Sequence, residues 1–165
     1  MKAQSITSIP RDLNKEKTID LLNKLVITNN DRMKGYATAS TETNEQELHS
    51  SFADFARSSK QCKQELANEI ITLGGTPTDR SNLSGKIFRT WMDIKATLTG
   101  RELRPILDSC DTVEETAIGT YRKVLKNRTD ILSTKQHIMI RAHNALLKAD
   151  HTRLLFIRNA MALTD

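Results

Sequence analysis

One carboxylate in this chain stands where carboxylates are rarely found. Glu114 falls on the run Ile106, Cys110, Val113/Glu114, Ala117, Tyr121, Val124/Leu125, whose spacing of three and four is that of a helix face turned to a core. A carboxylate out of water needs partners, because burying an unpaired charge is costly. Asn29, Tyr36, Tyr121 and His143 lie on apolar stripes of their own and are the polar side chains that could reach it. Glu114 could therefore anchor a buried polar cluster, or serve as one ligand of a metal ion. A slight rotation of its helix would instead set it at a solvated boundary, with Val113 in the core. The sequence leaves these readings open.

The other residues able to do chemistry do not assemble into a site. His137 and His143 are six positions apart and cannot share a helix face, while His143 and His151, eight apart, are about two turns from each other and too distant to chelate one metal. Cys62 and Cys110, 48 positions apart, make no zinc or redox pattern and read as small hydrophobes in a reducing compartment. A Cys–His nucleophilic pair would need an orienting third group and a cleft, and the sequence offers neither. No phosphate-cradling glycine loop, nucleophile elbow or HExxH string occurs. No catalytic residue, no resident metal and no cofactor are expected, with Glu114 as the single candidate ligand.

Apolar residues recur at three and four along most of the chain, so the elements that would position these groups are helices. The spacing predicts a helix from about 14 to 40 and a second from a capping-box-like start at Asn44 and Glu47 to the stop at Gly74-Gly75. A third is expected from near Arg101, with Pro105 tolerated in its first turn, and a fourth from Ile131 toward Met161. Residues 1–13 read as a flexible arm, and 14–165 as a single domain. The short first and last connections imply two antiparallel hairpins. The long one, about 76–100, carries a short amphipathic helix over Leu83–Leu98. An all-α bundle of two hairpins joined by one crossover has ferritin-like connectivity.

The 165 residues carry a net charge of +5, and Gly119–Asp165 alone holds nine basic against three acidic residues. A basic last third permits contact with nucleic acid, acidic proteins or anionic lipid, although solvated faces use the same residues. Aromatics are only 4%, which argues against a sandwich or barrel. No stretch reaches the ~18 apolar residues of a membrane span, and the start lacks the apolar core of a signal peptide, so a cytoplasmic protein is expected.

The stretches LGGTPTDRSNLSGKIFRTWMDIKATLTG (73–100) and ILDSCDTVEETAIGTYRKVL (106–125) resemble a bacterial domain-of-unknown-function family of small ferritin-like four-helix bundles. The shared features are the Leu73-Gly74-Gly75-x-Pro77 turn, the Arg89, Trp91, Lys95 helix, and the Cys110, Glu114, Tyr121 helix, within a match over roughly residues 18–146. The resemblance implies a fold and a bacterial cytoplasmic setting and brings no activity with it. Di-iron members of the wider fold need a Glu from each of two helices and Glu-x-x-His from each of the others. No Glu here has a His three residues on. The inward slots read Asn29/Met33, Ser59-x-x-Cys62, Glu114 and Met139-x-x-Ala142.

The expected function is therefore a non-enzymatic bundle, its di-iron ligands lost, acting as a homo-oligomer or on an unidentified protein partner. Phe88, Trp91 and Lys95 are the expected interaction surface, and nucleic acid and membrane are not expected partners. The alternatives are an iron-handling relative with a reduced site around Glu114, and a DNA-associated stress protein.

Overall fold

The computed structural model describes residues 8–81, 103–127 and 130–162. Four helices fill them: α1 (Ser8–Glu42), α2 (Gln46–Thr72), α3 (Leu103–Asn127) and α4 (Thr134–Ala162), with no strand among the described residues. Residues 1–7 and the crossover stretch holding Phe88, Trp91 and Lys95 lie outside the described residues.

The helix ends follow their local chemistry. Residues 8–13 continue α1 rather than forming an arm, because Pro10 falls in the first turn, where its fixed φ suits a helix and its missing N–H had no partner to lose. The box expected at Asn44 and Glu47 does not form. Glu45 precedes α2 with no side-chain cap, and its N–H donates to Thr43 Oγ1 at 3.3 Å. α2 closes in a Schellman turn, Gly75 N–H to Ile70 O and Gly74 N–H to Ile71 O both at 2.9 Å, with Gly74 at φ +83°. The true capping box lies ahead of α4. The Gln136 N–H donates to Ser133 Oγ at 3.2 Å, and the Ser133 N–H donates to Gln136 Oε1 at 2.9 Å.

Contacts between helices set their directions. Asn29 meets Tyr121 and Arg32 meets Glu114, so α1 runs against α3. Glu69 meets Gln136, Glu65 meets His143 and Asp54 meets Arg153, so α2 runs against α4. α2 and α3 therefore point the same way, and the connection between them must travel the length of the bundle. It sets off along α1: the Thr78 N–H donates to Asn23 Oδ1 at 2.9 Å and Asn30 Nδ2 donates to Arg80 O at 2.8 Å.

The core is split in two. One apolar cluster gathers Leu22, Leu25, Cys62, Leu66, Tyr121 and Leu147; the other gathers Tyr36, Phe52, Phe55, Ile106, Cys110 and Leu154. Along each helix a polar residue separates the two clusters.

Candidate functional site: a charge layer across the bundle

Those polar residues are Arg32 on α1, Ser59 on α2, Glu114 on α3 and Asp150 on α4, one from each helix and all at one level. Arg32 and Glu114 are shut away from solvent, their side chains 1% and 0% exposed. Glu114 Oε1 accepts from Arg32 Nη2 at 2.7 Å, from Arg32 Nε at 3.3 Å and from Tyr36 Oη at 2.5 Å. Arg32 Nη1 donates to Ser59 Oγ, and Nη2 also reaches Asp150 Oδ2 at 3.3 Å. One guanidinium thus ties four helices. Its carbon also lies 5.5 Å from the centre of the Tyr36 ring, which packs against Phe52 and Phe55.

Charge and burial compete here. Burial opposes the charge on Arg32, but Glu114, Tyr36 and Asp150 together outweigh it and hold the guanidinium firmly protonated. Burial and then Glu114 lift Tyr36 well above its ordinary pKa, so it stays a hydrogen-bond donor. Burial, with Glu114 adding and Arg32 opposing, pushes Asp150 up to about 6. Both thiols rise through burial, Cys62 to about 12, and are protonated at neutral pH.

The structure brings Glu114 to Tyr36 but not to Asn29, Tyr121 or His143. Those three form a neighbouring group: Asn29 Nδ2 donates to Tyr121 Oη at 2.6 Å, and His143 stands edge-on to the Tyr121 ring with centroids 6.1 Å apart. His143 pairs its Nε2 with Glu65 Oε2 at 2.8 Å. Glu114 is buried beside Val113 rather than displaced to a boundary.

Two of the expected inward slots differ in part. On α1 Asn29 is interior as expected, but the next interior position is Arg32, with Met33 half-buried; on α4 His143 is interior, with Met139 half-buried and Ala142 exposed. Arg32 and Asp150 are the residues that sequence reasoning missed. The strict alternation of three and four through Leu22, Leu25, Asn29, Arg32, Tyr36 and Ala39 is the signal that carries Arg32.

A two-metal centre of the ferritin-like kind has a fixed ligand demand. Four carboxylates and two imidazoles would be required. The layer offers two carboxylates, both turned to the fixed positive charge of Arg32, and its nearest thiols are protonated. Among the described residues no three His, Cys, Asp or Glu side chains stand together as a metal would need.

Residues 17–127 match the family described as a domain of unknown function, DUF2383. The chain belongs to that family. The match spans α1 to α3, including the turn after α2 and the Cys110, Glu114, Tyr121 helix. Two solved structures share the architecture of this DUF2383 chain. A mutant of Dps1 from Mycobacterium smegmatis is 18% identical with a TM-score of 0.72, over 89% of this chain and 98% of that one. The bacterioferritin-related protein of Bacteroides fragilis, a dodecameric thioferritin, is 16% identical with a TM-score of 0.68, over 91% of this chain and 89% of that one. Likeness at this identity speaks for the fold, which is a ferritin-like four-helix bundle. No curated protein matches the chain.

Proposed function

We propose that the chain is a non-enzymatic ferritin-like bundle that acts through its surface, as a homo-oligomer or on a protein partner, with its di-iron ligand set replaced by an internal ion cluster. The observation behind this reading is the Arg32 guanidinium at mid-bundle, bonded to Ser59, Glu114 and Asp150. A permanent cation there satisfies inward carboxylates that a dication would otherwise neutralise, and it repels such an ion. No helix of the described residues is long and apolar enough to cross a membrane. The likeness to a dodecameric thioferritin supports assembly from copies of this chain.

The experiment is metal analysis of protein purified without chelators, joined to sedimentation velocity at high micromolar concentration. Metal far below one ion per chain, in an assembled particle, is the expected result. Stoichiometric iron, manganese or zinc, lost in Glu114→Gln, would overturn it in favour of the reduced metal site. That second reading draws on Glu114 Oε2, which is buried and accepts no hydrogen bond among the described residues.

A further inference from the structure

The two most exposed large apolar side chains of the described residues, Phe156 at 71% and Ile138 at 64%, lie on one helix. They are 18 positions apart, five full turns, so they mark the two ends of a single face of α4 about 27 Å long. Between them Ala142, Ala145, Ala149 and Thr152 continue the face at alternating steps of four and three, every one exposed. The Thr152 hydroxyl is turned back to Lys148 O at 2.9 Å. This face points away from the core, which α4 fills with Ile140, Leu147, Leu154 and Ile157.

Basic residues flank it on both sides. Arg153 is paired with Asp54 of α2 at 2.8 Å, so the unbalanced charge is that of the exposed Arg141 and Lys148, while Asp150, the lone acid of α4, is turned toward Arg32. Arg141 and Lys148 have no ion-pair partner among the described residues. The connection leaving α2 follows α1, the helix diagonal to α4, and so starts away from this face.

We propose that the outer face of α4 is the docking surface for an acidic amphipathic helix of another protein. This rests on the reading of the chain as a surface-acting bundle and names the partner's chemistry. Ile138 and Phe156 anchor the ends, and the alanines between them let a second helix approach closely. Apolar residues of the incoming helix lie along the face at heptad spacing, and its flanking Asp or Glu side chains meet Arg141 and Lys148. A second copy of α4 is the poorer occupant. Antiparallel pairing about the middle of the face sets Lys148 against Lys148 of the copy.

The test uses the full chain and two fluorescein-labelled synthetic helices of about three heptads. Both carry Leu and Ala along the seam; one has Glu at the flanking positions and the other Lys. Anisotropy titration should show the Glu helix binding at least about tenfold tighter than the Lys helix, a difference of about 1.4 kcal/mol. Ala145→Glu with Ala149→Glu, both at exposed positions, should abolish binding while circular dichroism shows an intact helical fold. Arg141→Glu with Lys148→Glu should reverse the preference between the two helices and reads the face independently of the alanines. Failure to bind either helix, or binding indifferent to these substitutions, overturns the proposal. So does self-association lost in the same variants, which would give the face to a second copy, or duplex DNA competing with a steep salt dependence. An assembled, metal-poor protein that ignores the acidic helix sinks this assignment alone, whereas stoichiometric metal sinks the surface-acting reading and leaves the titration standing.

Discussion

Arg32 and Glu114 test what a buried ion pair contributes. Truncating Arg32 to Ala leaves the Glu114 carboxyl buried and served by Tyr36 alone, so a loss of about 3–5 kcal/mol is expected in urea unfolding. Replacing both partners by apolar residues of similar volume, Arg32→Met with Glu114→Met, should recover most of that loss, because no uncompensated charge remains. A double variant as unstable as the single one would show that the pair is worth more than the desolvation it costs. Tyr36→Phe deletes one hydrogen bond to the carboxylate and should cost about 1.5–3 kcal/mol by the same measurement. Half of this cluster was legible in the sequence. Glu114 and Tyr36 stood out because polar groups on apolar stripes ask for partners. Arg32 did not, because Met33 sits one position away, looks like the better core residue, and lies at four residues from Asn29 where Arg32 lies at three. Over five turns, periods of 3.5 and 3.6 diverge by enough to exchange such neighbours. Asp150 was hidden for a related reason, as an acid in a strongly basic segment reads as a solvated surface charge.

Helix identity and order followed from periodicity, whereas helix ends followed from bonds that residue types only suggest. The box ahead of α4 illustrates this. Ser-x-x-Gln at 133–136 carries the pattern, yet Ile131 and Leu132 are apolar and draw the expected start three residues too early. Ser133→Ala should therefore cost about 1 kcal/mol, read as a lower thermal midpoint without loss of helix content. At the other end of the bundle side of α2, the two glycines of the turn are not equivalent. Gly74 needs its positive φ and has open space where a side chain would go, so Gly74→Ala is strained by backbone alone, at about 1–2 kcal/mol. Gly75 has ordinary backbone, but a Cβ there would stand 2.8 Å from Ile19 Cδ1, so Gly75→Ala must push the Ile19 side chain aside. Adding Ile19→Ala, which removes all three side-chain carbons that the new Cβ would meet at 2.8–3.1 Å, should relieve Gly75→Ala and leave Gly74→Ala unchanged. Equal rescue of both would show that the two positions fail for one reason.

For the whole molecule, the charge layer gives stability a pH dependence whose sign can be worked out. Asp150 has its pKa raised in the fold, from 3.8 to about 6, so the folded state holds more protons than the unfolded chain between those values. Its contribution is then favourable below 3.8 and is lost as pH rises through about 6. Glu65, lowered chiefly by its bond to His143, and Asp54, lowered chiefly by Arg153, behave oppositely: their stabilisation is present above the ordinary carboxylate range and fades as pH falls below it. The two effects occupy different windows, so between about pH 5 and pH 7 Asp150 should leave a downward slope in the urea midpoint that the surface carboxylates do not contribute. Asp150→Asn keeps an oxygen for Arg32 to donate to and removes the titration. The difference between wild type and variant, which cancels the four histidines common to both, should therefore shrink toward acid pH and grow toward neutral, with the variant the more stable at pH 7. A difference independent of pH would mean that Asp150 is ionised throughout, and that Arg32 holds two charged carboxylates rather than one and a proton.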